Sequence, residues 1–242
     1  MKKLTTLVFA FAMILKMTPT VAETLTSVGE VYDVKTNDLI YREFHVFNKT
    51  PLNESMHTTY KDIDGQVIAQ RTVNFNAGFA ANYVFQQPGL GIEKRVNRKS
   101  KSITYTEINA EKSTVKTFEP KNISTAVVNA GMFNAIDRAW PKLSKGETIE
   151  IDLVVPERGR TFKMLVEKVD IEKTDSVKFL ERNGLTVFKM RIANRFLRLL
   201  VPPIELGYST NTKRLTYYQG PSNIRKSNNK AYKEIRVIYS ND

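Results

Sequence analysis

The chain has 242 residues, no cysteine, 11 glycines and 9 prolines, with 41% hydrophobic and 26% charged residues. That balance belongs to a globular protein and excludes a long disordered or collagen-like chain, while the lack of cysteine excludes disulfides, thiol catalysis and thiolate metal sites. The formal net charge is +12, which suits partners that carry negative charge.

The first 22 residues read as an export signal. Lys2 and Lys3 precede an apolar run over 4–15, and a polar stretch ends in Thr20-Val21-Ala22, the basic, apolar and small-residue pattern of a signal peptide. The run is too short to cross about 30 Å of hydrocarbon, and Lys16 interrupts it. Cleavage after Ala22 leaves 23–242 as a single β-rich domain with an excess charge of +9, since three lysines and no acid leave with the signal. The expected location is periplasmic or secreted. There a basic protein meets anionic lipid headgroups and other polyanions rather than nucleic acid. No later run reaches ~18 apolar residues, so no transmembrane segment is expected in 23–242.

Strand signals then dominate. Residues 39–47 (LIYREFHVF) and 54–61 form one pair. Asp64-Gly65 fits a tight turn that needs positive φ, and 66–75 returns from it. That turn pairs Ile63 with Gln66, Tyr60 with Ala69 and Met56 with Val73. In the preceding hairpin, a loop bounded by Phe47 and Ser55 sets His45 opposite His57, with Glu43 on the face of His45. Glu43, His45 and His57 then make a candidate metal or acid–base cluster. The plainer reading is a polar cross-strand pair on a wet face, and a slip of one residue separates the two histidines. A zinc site of this type wants three protein ligands. The calcium-like start at Asp62 and Asp64 lacks its twelfth-position acid, which is Val73. No cofactor is expected.

Strands follow at 81–86, 92–97, 102–109 and 113–118. Within GIEKRVNRKSKS (91–102), Lys94, Arg95, Arg98, Lys99 and Lys101 form the densest basic run. It reads as a patch for anionic headgroups or, more plainly, as a solvated hairpin tip. Aromatics do not interleave it, so a stacking platform for single-stranded nucleic acid is unsupported. Neither a nucleophile elbow nor a glycine-rich phosphate loop occurs.

Helical period appears once. Ser124-Thr125 can cap a helix over 125–140, with Met132, Phe133, Ile136, Trp140 and Leu143 on one stripe. Pro141 should end it near Trp140. Strands resume at 148–155, 161–171, 185–192, 204–208, 214–219 and 233–239, with a short helical turn over 194–200. In RFLRLLVPPIEL (195–206), Phe196, Leu199, Leu200 and Ile204 are expected either to line an apolar hollow with Met132, Phe133, Ile136 and Trp140, or to fill ordinary core. Crossover helices are missing, which excludes parallel α/β architectures. The expected fold is mainly β: a strongly curved antiparallel sheet, half-barrel or barrel-like, wrapped around one principal α-helix.

The helix and IEIDLVVPERGRTFKMLVEKV (149–169), RFLRLLVPPIEL, RLTYYQGPSNI (214–224) and EIRVIY (234–239), with LIYREFH and YKDIDGQVIAQRTVNF in the first half, carry a resemblance. Over most of 23–242 the chain resembles an uncharacterised family of exported bacterial β-rich proteins. That resemblance implies no activity and transfers no catalytic residue. At the level of fold the chain is similar to the half-barrels of periplasmic lipoprotein carriers, which hold acyl chains between a concave sheet and a helical lid. The similarity implies a non-enzymatic binding protein for a lipid or other amphipathic envelope ligand. The alternatives are an envelope scaffold or interaction module with a filled core, and a metal-dependent enzyme built on Glu43, His45 and His57.

Overall fold

The structure, a computed structural model, describes residues 23–50, 54–75, 81–174 and 184–241; the expected signal over 1–22 lies outside them. The first arm comprises β1 (Glu23–Asp33), β2 (Leu39–Lys49), β3 (Glu54–Asp62), β4 (Val67–Asn74), β5 (Asn82–Gln87), β6 (Ile92–Arg98), β7 (Ile103–Ile108) and β8 (Ser113–Phe118). The second comprises β9 (Ala126–Val128), α1 (Gly131–Leu143), β10 (Ile149–Val155), β11 (Arg160–Val169), β12 (Leu185–Ile192), α2 (Arg195–Arg198), β13 (Ile204–Ser209), β14 (Leu215–Gly220) and β15 (Ile235–Asn241).

Among the described residues all strands join one 15-stranded sheet, in the order β8-β7-β6-β5-β4-β3-β2-β1-β15-β14-β13-β12-β11-β10-β9. From β1 to β8 each strand folds back beside its predecessor, the chain then starts the other end of the sheet with β9, and β10 to β15 lead inward until β15 pairs with β1, so β1 bonds β2 on one edge and β15 on the other. The pairing is antiparallel except at one end, where β9 runs parallel to β10. The expected antiparallel sheet therefore holds except for this edge pair.

The sheet curls until its ends meet without a closing ladder. Lys94 Nζ lies 3.4 Å from Glu157 Oε1, and Lys116 Nζ donates to the Glu157 carbonyl. Val96, Ile103 and Tyr105 of one end share an apolar cluster with Ala126, Val128 and Val154 of the other. The architecture is a barrel-like sheet that stays open, and it encloses two packed regions and a hollow.

The sequence gives no strand signal before residue 39, yet β1 is the joint between the arms. Its inward positions are Leu25, Ser27, Gly29 and Val31, and only two of these are bulky and apolar, so the alternation is faint. Gly29 is small for a packing reason. A Cβ there would stand 2.7 Å from Val237 Cγ1 and 2.9 Å from Tyr239 Cε1. Gly29→Val is expected to destabilise by about 1–3 kcal/mol through overpacking, read as a lower urea midpoint at unchanged m.

The β3–β4 hairpin pairs Tyr60 with Ala69 and Met56 with Val73, as the turn position predicts. A bulge between Tyr60 and Lys61 replaces the expected Ile63–Gln66 pair. Asp62 Oδ1 accepts from the backbone N–H groups of Asp64 and Gln66, at 3.1 and 2.8 Å.

The helix differs from expectation at both ends. It begins at Gly131 rather than 125, because Ala126, Val127 and Val128 are fully buried as the edge strand β9. Ser124 and Thr125 cap nothing helical; Asn122 Oδ1 instead takes hydrogen bonds from the Ser124 backbone and hydroxyl. Pro141 lies inside the last turn, and the helix runs on to Leu143. One missing N–H near a helix end costs a single ladder bond, which packing outweighs. Met132, Ile136, Trp140 and Leu143 are buried against Met164, Phe188, Leu206 and Tyr208 of the second arm. No described helix is long and apolar enough to cross a membrane.

Candidate functional site

Strand alternation carries a polar row into the interior of the first arm. On β2 the inward side chains are Tyr41, Glu43, His45 and Phe47; on β3, Met56, Thr58 and Tyr60; on β4, Ala69, Arg71 and Val73. Register aligns them, since Ser27 faces His45, His45 faces Thr58, and Thr58 faces Arg71. The row Ser27–His45–Thr58–Arg71 thus crosses four strands between apolar rows.

These groups form one hydrogen-bonded chain. Arg71 Nη2 donates to Thr58 Oγ1 at 3.4 Å. Thr58 Oγ1 lies 2.9 Å from His45 Nδ1, and His45 Nε2 donates to Glu43 Oε2 at 3.1 Å. The Tyr239 hydroxyl donates to the same Glu43 oxygen at 3.4 Å. With a neutral imidazole the chain runs in one direction, Thr58 donating to Nδ1. Thr58 is fully buried behind His45 and does not reach the adjoining hollow. The order Thr–His–Glu therefore offers no accessible nucleophile.

Arg71 extends the chain to the helix. Its Nη1 donates to Asn129 Oδ1 at 3.2 Å, and that oxygen also accepts the backbone N–H of Ala130 at 2.8 Å. Asn129 is left-handed, with φ 47°, a conformation Asn tolerates because its short polar side chain bonds locally. It turns the chain from β9 into α1. The Arg71 Nε is buried without a hydrogen-bond partner, and among the described residues no carboxylate lies within 4 Å of the guanidinium. Burial opposes the Arg71 charge, Tyr60 and the Glu43 carboxylate favour it, and the net direction is upward. The guanidinium stays charged.

A cavity of about 620 Å³ opens between this wall and α1. Phe47, Met56 and Phe75 line it from the first arm, Met132 and Phe133 from the helix, and Ile204 from the second arm. Glu43, His45, Arg71 and Asn129 reach it from the polar row. Burial pushes the phenols of Tyr83, Tyr208 and Tyr218 well upward, and burial with the Glu43 charge does the same to Tyr239. All four line the cavity as neutral hydroxyls.

The expected site residues divide. Met132, Phe133 and Ile204 line the cavity. Ile136 and Trp140 belong to the packed core beside it. Phe196, Leu199 and Leu200 stand in solvent, because Asn194 Oδ1 caps a helix of only four residues and one turn cannot bury every side.

The basic run is split by the pleat of β6. Lys94 shares the phase of buried Ile92 and Val96 and pairs with Glu157, whereas Arg95 points outward and pairs with Glu93. The Arg98 backbone N–H donates to Asn82 Oδ1, and Lys99 and Lys101 stay exposed in the hairpin.

Glu43 and His45 meet, but His57 pairs opposite Val46, one residue off the expected register. It faces outward, beside Thr72 and Thr59. The slip of one flips its face, and the described residues hold no group of three metal-ligating side chains.

Arg71, Thr58, Asn129 and Tyr239 went unsignalled. Arg71 was the legible one, as a charge at an inward position between Ala69 and Val73.

No family model and no curated protein matches the chain. Among solved structures it is similar to a crystal structure described as a β-barrel-like protein of a domain of unknown function, DUF1849, from Brucella abortus, with 9% identity, 90% of this chain and 95% of that chain covered, and a TM-score of 0.45.

Proposed function

We propose that the chain is an exported, non-enzymatic binding protein for an amphipathic ligand of lipid class with an anionic end. The apolar part lies in the cavity between the sheet and α1, and the anionic end meets Arg71. One observation carries the reading: a hollow of about 620 Å³ whose wall is apolar except for a short polar row ending in a buried guanidinium with a free Nε. Ligand pockets fall in the range of roughly 300–1,000 Å³ and combine such walls with few polar groups. The hollow favours this reading over a scaffold with a filled interior.

The test is extraction of the purified protein with organic solvent and mass spectrometry of the extract, followed by displacement of a fluorescent fatty acid. Bound lipid and saturable displacement are expected. Ser27→Phe places a ring in the hollow from the centre of β1 and should weaken displacement at least about tenfold, equal to 1.4 kcal/mol. A protein that carries no lipid and takes up no probe would remove the reading.

A further inference from the structure

The β12–β13 connection carries the largest exposed apolar side chains of the described residues: Phe196 at 82%, Leu199 at 85% and Leu200 at 78% exposure, with Val201 beside them. They are held outward rather than loose. Asn194 caps the turn, and Arg198 braces it from beneath, its Nε donating to the Ile192 carbonyl and its Nη2 to the Ala193 carbonyl, both at 3.1 Å.

The β14–β15 connection, residues 221–234, leaves the sheet at the same rim. Glu205 at the start of β13 pairs with Gln219 at the end of β14, and a Cβ on Gly220 would stand 3.2 Å from Ile204 Cγ1. This second loop exposes Lys226, Lys230 and Lys233. Its one acid, Glu234, is taken by Gln219 Nε2 at 2.8 Å.

We propose that this rim docks on a lipid bilayer bearing anionic headgroups, with Phe196, Leu199 and Leu200 entering the acyl boundary and the exposed lysines of the second loop lying at the headgroups. Charge complementarity selects the bilayer. A projecting apolar tip on the same rim as three exposed lysines is the arrangement that interfacial binding requires, apolar burial plus attraction to acidic lipid. Size argues the same way. A stable protein interface takes about 800 Å² and 20–30 residues from each partner, whereas this tip offers five exposed apolar side chains on one loop. Ile204, which follows the tip, lines the cavity, so docking brings the hollow's rim to the membrane. The docking face does not depend on what the cavity holds.

Flotation of the purified protein with vesicles tests the proposal. Wild type should float with phosphatidylcholine–phosphatidylglycerol vesicles and more weakly with phosphatidylcholine alone. The triple variant Phe196→Asp, Leu199→Asp, Leu200→Asp should bind at least about a hundredfold more weakly while displacing fluorescent fatty acid as wild type does. Lys226→Glu with Lys230→Glu and Lys233→Glu should reduce binding on the mixed vesicles to the level seen on phosphatidylcholine. Phe196→Trp should shift its emission to the blue when mixed vesicles are added. Wild type that does not float, a triple-Asp variant that floats equally, or a dimer dissolved by that variant without flotation would overturn the proposal. Wild type that floats but takes up no fatty acid keeps it and removes the cavity reading instead.

Discussion

Trp140→Ala is expected to lower stability by about 3–5 kcal/mol, the range for truncating a large buried aromatic. The ring is 8% exposed. It stands edge-on to Phe188 at 5.2 Å and 90° and to Tyr208 at 5.5 Å and 82°, with Lys213 Nζ 5.6 Å from its centre. Nothing local compensates for its loss. No side chain caps the start of α1, and Pro141 removes a ladder bond from its end. A helix of 13 residues so placed owes its stability to tertiary packing. Urea midpoints followed by far-ultraviolet circular dichroism measure the effect. Trp140→Phe should cost less than about 1.5 kcal/mol because the ring keeps its edge-on contacts. The outcome bears on function, since Met132 and Phe133 of the same helix line the hollow. A cost below about 1 kcal/mol for the alanine variant would mean that the helix is a detachable lid rather than a fixed wall.

The strands were legible because their signal is short-range. Residues 39–47 alternate large and polar side chains, and Asp64-Gly65 sets the positive φ that a tight turn needs; Gly65 has φ 85°. The elements that escaped depend on distant partners. β1 carries Gly29 at an inward position because Val237 and Tyr239 of the last strand occupy the space there, and Ser27 at another because it lines the hollow. Ala126, Val127 and Val128 have no strand neighbour in sequence, and only the parallel pairing with Asp152, Leu153 and Val154 makes them a strand.

The site was legible in part for a related reason. Apolar content pointed to a hollow beside the helix, and Met132, Phe133 and Ile204 are on its wall. Phe196, Leu199 and Leu200 have the same composition but sit on a four-residue turn past the end of β12, where no opposing element covers them. His45 and His57 show how little separates a cluster from two isolated rings, since one residue of register puts them on opposite faces of the sheet. The polar row itself required three registers at once, which no local pattern supplies.

Arg71→Met should weaken an anionic amphiphile about ten- to a hundredfold and leave its neutral methyl ester unchanged. Hydrogen bonds to charged groups contribute roughly 1.5–3 kcal/mol, and each 1.4 kcal/mol is a factor of ten. The free protein should change in stability by no more than about 1 kcal/mol. Methionine fills similar volume and spares the desolvation of a guanidinium whose Nε finds no partner, which offsets the bonds lost to Asn129 and Thr58. Arg71→Lys should recover only part of the affinity, because an ammonium keeps the charge but lacks the planar fork that grips a carboxylate or phosphate. Paired titrations of the acid and its ester, with denaturation of each variant, separate the two effects. Equal weakening of acid and ester would show that Arg71 shapes the wall without reading charge, and the ligand would then be a neutral lipid.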